Sequence, residues 1–476
     1  MTVIDTGGLD GGALDEESAA GHIHGICLKT GPPRRVGVEL EWLVRDTRDP
    51  ALPVAAGRIA QAVLAFGAER GRRERRALDG ESPDGPELPT SSSPGVLPSG
   101  APLTTEPGGQ LELSSLPADS LADLVRATTG DMDALRAAVA GAGLELAGIG
   151  LDPLRPPRRI LGEPRYAAME AFFDRGGGWG RQMMCGTASV QVNLDAGDDS
   201  DGPAGYRRRW QLLHAIGPVL VAAFANSPLR AGRPTGWVSS RQQVWAHMDP
   251  GRTRPPLLNG DPRAAWAAYA LDADVMCVRD EGAADWSAPP GLTFRDWIRG
   301  GAVDGRPFGG GLGRGGTGLA RRLRPPTTDD LGYHLSTLFP PVRPRGHFEL
   351  RMIDAQPGDG WIVPLAVCCA LSSDALACDA ALAAVAPLGA GPPDGVPDGP
   401  VPDGALPGGP WGRAARLGPA DRAIARASRA CFAAAREALR RMAVPAAITA
   451  AVDAFCEDYV SKDRCPADDL LEEKAA

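Results

Sequence analysis

Four short segments of this chain alternate polar and apolar residues, and this alternation restricts the fold more than any other feature. Side chains along a β-strand point to opposite faces in turn, so each segment predicts a strand with one polar and one apolar face. The apolar faces carry Val, Leu, Phe, Met and Trp and need a core to cover them. The segments are VGVELEW at 36–42, TEPGGQLELSS at 105–115, TASVQVNL at 187–194 and HFELRMI at 347–353.

The polar faces of these segments carry carboxylates, amides and one arginine. Taken singly, each is consistent with a half-exposed antiparallel strand. If the strands share one sheet, their carboxylates converge and repel one another unless cations bind between them. Such oxygen ligands suit Mg²⁺, or Mn²⁺, and a metal site beside an arginine suits phosphoryl transfer from ATP. The residues concerned are Glu39, Glu41, Gln110, Glu112, Ser189, Gln191, Asn193, Glu349 and Arg351, with Glu106 at the turn before the second strand.

A second cluster of functional residue types occupies SSRQQVWAHMDPGRT at 239–253. It brings Arg241, Trp245, Asp249 and Arg252 into a short stretch. Arginines and aromatic rings of this kind bind small anionic substrates through bidentate pairing. A structural ion-pair network would use the same residues, and the sequence leaves both interpretations open.

Charge and lysine content narrow the range of partners. A net charge of −9 provides no basic field for nucleic acid or an anionic membrane, so neither is expected to bind. The only lysines are Lys29, Lys462 and Lys474, and none stands in a Walker A motif. Any nucleotide phosphates must therefore be held by metal ions and arginines.

Cysteine usage and hydropathy predict a cytoplasmic protein. The nine cysteines contain no CxxC pair, which argues against a disulfide framework or a zinc site. No uncharged apolar run reaches the roughly 18 residues of a membrane helix, and the first twenty residues lack the apolar core of a signal peptide.

The organisation of the chain predicts one α+β domain over 19–460. Amphipathic helices are expected at 120–139, 206–225 and 421–442, between well-separated strands. Residues 1–18 are expected to form a flexible arm and 461–476 a polar C-terminal tail. Loops rich in Pro, Gly or Ser are expected at 68–102, 300–318 and 387–412.

The motifs resemble the glutamate–cysteine ligase family, in the branch shared by plants and actinobacteria. The matching words are VGVELEW, TEPGGQLELS, TASVQVNLD, RxxxWxxxDxxRT, TFRDW and HLSTLFPPVRPRGHFELR, which follow the order of the family over roughly residues 35–365. The wording is most similar to the actinobacterial enzymes that make γ-glutamylcysteine for ergothioneine biosynthesis. The three predicted loops have no counterpart in this resemblance.

The resemblance implies a curved, mainly antiparallel sheet that forms a funnel, with helices packed outside. It implies that ATP phosphorylates the γ-carboxylate of glutamate and that the amine of cysteine then displaces phosphate. The residues that match the metal and ATP positions of the family are Glu39, Glu41, Glu106, Glu112, Gln191, Asn193 and Glu349. Arg351 matches the arginine that contacts the transferred phosphate, which makes Arg351 and Glu349 the catalytic candidates. Arg241, Trp245 and Arg252 match positions near the amino-acid substrates.

Three other functions use the same residue types. A related ATP-dependent ligase would accept a different amine, a metal-dependent hydrolase would not need ATP, and a metal-stabilised binding protein would catalyse nothing. The expected partners are glutamate, cysteine and ATP, and the sequence leaves monomer and dimer open.

Overall fold

The computed structural model describes residues 14–64, 66, 95–280, 282–300, 302–303, 306–307, 323–389 and 409–475. Its main feature is an eight-stranded sheet in which all strand pairings are antiparallel. The strands in chain order are β1 Val36–Asp46, β2 Gly95–Val96, β3 Pro102–Thr105, β4 Leu111–Ser114, β5 Leu144–Ala147, β6 Ser189–Asp195, β7 Leu229–Arg230, β8 Arg233–Pro234, β9 Ala302–Val303, β10 Arg306–Pro307, β11 Val342–Pro344 and β12 His347–Asp354.

The sheet places all four predicted strands side by side, in the order β12-β6-β1-β4. Its order is β11-β12-β6-β1-β4-β3-β2, and β5 pairs with the far end of β1. The strands β7 and β8, and likewise β9 and β10, form separate two-stranded pairs. With helices making up most of the remaining structure, the predicted α+β class and the antiparallel sheet are confirmed.

Helices pack around this sheet and bury its apolar face. Their bounds are Glu16–Cys27, Leu121–Gly141, Pro164–Asp174, Trp179–Gly186, Tyr206–Ala215, Gly217–Ala223, Ser240–Ala246, Pro250–Thr253, Pro262–Asp272, Phe294–Ile298, Thr328–Leu335, Ile362–Ser373, Ala375–Val385, Gly409–Leu417, Arg422–Arg441, Ala446–Asp458 and Pro466–Ala475, with 3₁₀ turns at Ala386–Leu388, Gly418–Ala420 and Val460–Lys462.

The main hydrophobic core lies on the apolar face of the sheet. Val38, Leu40 and Val192 are buried there together with side chains of the surrounding helices. Phe348 on β12 meets the ring of Trp210 at a centroid distance of 5.5 Å. Burial of this face leaves the opposite face, with its carboxylates and amides, for a site.

Two predicted helices are found with bounds close to expectation because their first residues are good caps. Ser120 accepts a hydrogen bond from the backbone of Asp123 at the start of Leu121–Gly141. Asp421 accepts from Ala423 and Ile424 at the start of Arg422–Arg441.

The helix predicted at 206–225 is in fact two helices that meet at Ile216 and Gly217. Pro218 has no N–H and cannot continue the hydrogen-bond ladder. A Cβ on Gly217 would lie 2.0 Å from the ring of Trp411, so the glycine is needed for that close contact. Pro218 thus marks the break locally, and the contact with Trp411 explains why the residue before it is glycine.

Helices occupy part of both the expected arm and the expected tail. Asp15 caps a helix that begins at Glu16, inside the expected arm, and Glu16 accepts a hydrogen bond from Arg299 Nε at 2.6 Å. In the expected tail, Pro466–Ala475 is helical, and Ala467 is buried with its N–H donating to Ala225. Tertiary contacts hold both of these helices in place.

The predicted loops fall largely outside the described residues. Of 68–102, the structure describes 95–102, which carries β2 and the start of β3. Of 300–318, it describes residue 300 and the short pair β9 and β10. The expected loop 387–412 ends earlier, because a helix begins at Gly409, and residues 390–408 lie outside the described part.

A search of the described residues for membrane-spanning helices finds none that is long and apolar enough by itself, while the pair 362–373 and 375–388, bent by 103°, passes only when taken together.

Candidate active site

The strand register brings the polar residues of β1, β4, β6 and β12 into adjacent positions on one face. Across β1 and β4, Glu41 stands opposite Glu112. Across β1 and β6, Glu39 stands opposite Gln191. Asn193 and Glu349 occupy facing positions on β6 and β12. We call Glu39, Glu41, Glu112 and Glu349, together with Glu106 at the turn before β4, the carboxylate row.

Amide and hydroxyl groups of β6 hold the two carboxylates of β1. Glu41 accepts hydrogen bonds from Ser189 Oγ and Gln191 Nε2, both at 2.9 Å. Glu39 accepts one from Asn193 Nδ2 at 3.3 Å. The Oδ1 atom of Asn193 is buried and has no partner among the described residues. An oxygen beside the carboxylate row is thus available to a ligand.

The turn before β4 places Glu106 beside the strands. Its backbone N–H donates to the carbonyl of Gln110, and its carbonyl accepts from Gly109, both at 2.8 Å. Gly109 has a φ of 91°, and a Cβ on Gly108 would lie 2.2 Å from the carbonyl oxygen of Cys185. Two glycines are therefore required for the turn to close against the end of the helix Trp179–Gly186.

Gln110 does not belong to the carboxylate row, although the alternating pattern placed it on the same face as Glu112. Its side chain is buried and donates to the carbonyl oxygen of Thr187 at 2.8 Å and accepts from Gly108 N at 3.0 Å. Gln110 lies one residue before the start of β4, and its side chain stabilises the turn.

Burial and mutual repulsion raise the pKa of most carboxylates in the row. Burial, followed by the charges of Glu349 and Glu112, raises the pKa of Glu39 to about 7. Burial and then the charges of Glu112 and Glu41 raise the pKa of Glu106 well above its usual value. Burial also raises the pKa of Glu41, against the opposing charges of nearby arginines. The pKa of Glu112 is raised by burial and by Glu41.

Glu349 differs from the others because three arginines surround it. Burial would raise its pKa, but the charges of Arg343, Arg351 and Arg345 outweigh that effect and lower it. Arg343 binds both carboxylate oxygens, at 2.7 and 2.9 Å, and Arg345 approaches at 3.4 Å. Arg351 also donates to Glu349.

Arg343 and Arg345 were missed by the sequence reasoning. They stand two residues apart in VRPRG, and Arg343 faces Glu349 across the β11–β12 hairpin. The same period-two reading that found the other strands would have placed both arginines on the polar face.

Arg351 lies within the row and beside an aromatic wall. Its Nη1 atom donates to Gln191 Oε1 at 2.5 Å, and its guanidinium lies 5.7 Å from the ring centre of Phe339. Its Nε atom is buried without a partner among the described residues. Burial lowers the pKa of Arg351, but the carboxylates of Glu349 and Glu41 raise it overall. A cation with a free donor is thus held among acidic groups.

Arg241 contacts the backbone of Arg351, and Trp245 lies next to Arg241. Arg241 is fully buried and donates from Nη2 to the carbonyl oxygen of Arg351 at 2.8 Å. Its guanidinium lies 5.8 Å from the ring centre of Trp245, which in turn meets Phe339 at 5.7 Å. The Nε1 atom of Trp245 is buried and has no partner in the described part of the chain.

Arg252 is held in a structural network, the alternative that the sequence left open. Its Nε atom donates to Asp249 at 2.8 Å, Nη1 to the carbonyl of Thr337 at 3.0 Å and Nη2 to the carbonyl of Asp274 at 2.6 Å. Its guanidinium also covers the ring of Phe172 at 4.5 Å. Every nitrogen of this side chain already has an acceptor within the protein, so a direct role in substrate binding is not supported.

The row fits a hard divalent cation in charge and donor type. Its oxygen atoms are the donors that Mg²⁺ prefers, and its raised pKa values show carboxylates that gain from a neighbouring cation. Among the residues that the structure describes, no three acidic, histidine or cysteine side chains are already gathered into a ready-made ligand cage. Cation binding therefore requires side-chain rearrangement, above all at Glu349, whose oxygens are occupied by arginines.

The known proteins to which this chain is similar in sequence are glutamate–cysteine ligases. The profile of the glutamate–cysteine ligase family 2 (GCS2) matches residues 35–476. The glutamate–cysteine ligase EgtA of Mycobacterium tuberculosis (strain ATCC 25618 / H37Rv) is 37% identical over 461 residues, covering 96% of this chain and 90% of the relative. The chloroplastic glutamate–cysteine ligase of Medicago truncatula is 30% identical over 263 residues, covering 54% and 47%. The crystal structure of glutamate–cysteine ligase from Francisella tularensis in complex with AMP has a TM-score of 0.45 at 11% identity, covering 93% and 85%.

The match to this family model and the similarity to a relative over almost its whole length define an enzyme of the ligase class. The chain belongs to glutamate–cysteine ligase family 2, as its motifs implied.

Proposed function

We propose that this enzyme joins the γ-carboxylate of L-glutamate to the amine of L-cysteine and uses ATP to do so. The products are γ-glutamylcysteine, ADP and phosphate. The proposal is supported by the high coverage of a relative that is named glutamate–cysteine ligase. The resemblance to the actinobacterial branch supports ergothioneine biosynthesis as the destination of the product.

The single observation that carries the proposal is the position of Arg351 within the carboxylate row. An acid becomes reactive toward an amine when a phosphoryl group is transferred to it, which places negative charge on the transferred group. Arg351 supplies a fixed positive charge there, with its Nε donor still free. Gln191 orients that guanidinium through the 2.5 Å hydrogen bond.

Mg²⁺, or Mn²⁺, would be held by Glu39, Glu41, Glu106 and Glu112, with Glu349 joining when its arginines move. When bound, the metal neutralises charge on the phosphates of ATP. Asn193 offers its free Oδ1 atom to the same region, to a metal-bound water or to a nucleotide hydroxyl.

The proposed reaction has two steps. An oxygen of the glutamate γ-carboxylate attacks the terminal phosphorus of ATP, and ADP leaves. The amine nitrogen of cysteine then attacks the acyl carbon, loses a proton and expels phosphate. Trp245 and Arg241, next to Arg351, are the candidates for contact with the amino-acid substrates.

A cytoplasmic location is part of the proposal. All nine cysteines lie in the described part of the chain and all are free thiols. Unpaired, mostly buried cysteines are typical of proteins from reducing compartments.

Release of ADP, measured with each substrate omitted in turn, tests the proposed function. We expect ADP only when glutamate, cysteine, ATP and Mg²⁺ are all present, together with an equal amount of γ-glutamylcysteine. Equal rates with many amines would identify a ligase with another acceptor. Hydrolysis of a substrate amide without ATP would identify a hydrolase and would end the proposal.

A further inference from the structure

Asp354, at the last position of β12, is the centre of a buried polar cluster that lies three residues beyond Arg351. The side chain of Asp354 is 1% exposed. One of its oxygens accepts from the backbone N–H of Asn226 at 2.9 Å and from Ser227 Oγ at 2.7 Å. The other accepts from Ser239 Oγ at 3.0 Å. Both oxygens therefore accept hydrogen bonds, which an ionised carboxylate does best.

The same cluster holds Arg241 at both its backbone and its side chain. The backbone N–H of Arg241 donates to Ser227 Oγ at 3.1 Å. Its Nη1 atom lies 3.8 Å from Asp354 Oδ1, an ion-pair distance in a buried setting. Its Nη2 atom donates to the carbonyl oxygen of Arg351 at 2.8 Å. A continuous chain of contacts thus leads from Asp354 through Arg241 to the backbone of Arg351.

Two donors of Arg241 remain without hydrogen-bond acceptors in the described part of the chain. These are Nε and Nη1, and both are buried. Burying a guanidinium without hydrogen-bond acceptors carries a large desolvation cost, so a nearby opposite charge is needed to compensate it. The only acid in ion-pair contact with it is Asp354, as far as the described residues go. The charge of Arg241 also acts on Glu41, where it opposes the rise in pKa caused by burial.

The cluster has no room for a longer side chain. A Cβ on Gly150 would lie 2.5 Å from the carboxyl carbon of Asp354. Asn226 is fixed in turn by donating from Nδ2 to the carbonyls of Gly148 and Ala355, both at 2.8 Å. An amide in place of the carboxylate would fit the volume but would turn an N–H toward other donors.

We propose that Asp354 is a positioning residue of this enzyme, which acts through Arg241. Its carboxylate fixes the orientation of Arg241, and Arg241 then holds the Arg351 backbone and keeps its Nε donor free for an anionic group of the substrate. The proposal rests on the proposed function in that Arg241 and Arg351 belong to the reacting site.

A double-mutant cycle on Asp354→Asn and Arg241→Gln tests this inference, with kcat/KM for glutamate as the readout. Misplacing a group near the reacting atoms costs on the order of 100-fold, so each single variant is expected to lose about that much. If Asp354 acts through Arg241, the double variant is expected to be about as active as Arg241→Gln alone. Losses that multiply to about 10,000-fold would mean independent roles and would overturn the proposal.

Asp330→Asn is the matched control, because Asp330 is also buried and pairs with an arginine, Arg324, at 2.5 Å. We expect it to lower the unfolding midpoint without changing kcat/KM for glutamate. A loss of kcat/KM equal to that of Asp354→Asn would show that the loss of any buried carboxylate has this effect, and the inference would fall. If Asp354→Asn does not fold, Ser239→Ala takes its place in the cycle, because it removes one hydrogen bond to the Asp354 carboxylate.

The wild type, the two single variants and the double variant also show whether a failure lies in this inference or in the proposed function. If the wild type does not couple glutamate to cysteine, the proposed function fails and the cycle is measured in urea unfolding midpoints instead. Strongly non-additive shifts would still support the pairing of Asp354 with Arg241. Additive shifts would overturn it.

Discussion

At the scale of single residues, the site is a balance of unequal charges. Burial and repulsion keep the pKa of four carboxylates above the ordinary value, whereas three arginines lower that of Glu349. Ionising a carboxylate whose folded-state pKa is raised costs stability as the pH rises from its unfolded pKa to its folded pKa. In the absence of metal, the row is therefore a source of instability near neutral pH, and a cation would relieve it.

Replacing Glu112 with Gln tests this balance, because the change removes charge and keeps volume. We expect ligation to fall by about 100-fold or more, since a proposed ligand of the metal is lost. The metal-free variant should unfold at the same temperature as the wild type or higher, because repulsion with Glu41 is removed. Activity and thermal unfolding with and without Mg²⁺ and ATP measure both effects.

Glu145→Gln is the control for that variant, because Glu145 is exposed on β5, which also pairs with β1. We expect no change in its activity. A fully active Glu112→Gln enzyme would mean that the carboxylate row does not bind the metal as proposed.

Replacing Arg351 with Lys tests the need for a planar cation. A single ammonium group cannot contact Gln191 and Glu349 and still leave a donor toward the substrate. We expect kcat to fall by about 100-fold or more, the usual result of losing one preorganised donor to developing charge. Arg299→Lys, which changes an exposed pair with Glu16, should keep full activity; a similar loss there would point to a general effect on folding.

At the scale of elements, the site depends on register and on one turn. The β-strands present alternate residues, so a shift of one residue would turn the row into the core. The turn at 106–110 sets where β4 begins and is closed by the contact of Gly108 with Cys185.

Replacing Gly108 with Ala should therefore damage activity. The added Cβ would lie 2.2 Å from a backbone carbonyl oxygen, so the turn must move and carry Glu106 with it. We expect a loss of about 10- to 100-fold in kcat/KM with retained helical content, measured by steady-state kinetics and circular dichroism.

Gly130→Ala is the matched control for that change. Gly130 lies in the helix Leu121–Gly141, and a Cβ there would meet nothing within 4 Å. We expect full activity and a gain in unfolding free energy of about 0.5–1 kcal/mol, because Ala is the better helix former. Equal behaviour of the two variants would show that the turn does not position the site.

At the scale of the whole molecule, buried histidines should make the fold sensitive to acid. Burial lowers the pKa of His214 to about 4, against the hydrogen bond that its Nδ1 atom makes with the Trp210 carbonyl. Burial likewise lowers the pKa of His334 to about 3. Below the unfolded-state pKa of 6.5, the unfolded chain binds these protons and the folded protein does not. The free energy of unfolding therefore decreases as the pH is lowered.

Replacing His214 with Gln should flatten this dependence. At about pH 5, one histidine with these pKa values lowers the unfolding free energy by about 2 kcal/mol relative to about pH 7.5. We expect the difference between these two pH values, measured by urea unfolding, to shrink by about that amount in the variant. An unchanged difference would mean that the pKa of His214 is the same in the folded and the unfolded protein.

Local patterns predicted the parts of this protein that depend on neighbours along the chain. Ser120 and Asp421 cap helices that begin where expected, and alternation in β1 and β6 identified the strands that form the middle of the sheet. The same reasoning misplaced Gln110, because a contact with the distant Thr187 decides its position. It also treated 206–225 as one helix, although Pro218 is a local signal for the break.

The amino-acid sequence by itself determined which residues alternate on strands, which family the chain belongs to and which acids could share a face. Only the tertiary structure decided that the guanidinium of Arg252 is taken up by an internal network and that Asp354 lies against Arg241. The physical reason is that periodicity reports the direction of a side chain, whereas a partner across space is set by packing between segments about a hundred residues apart.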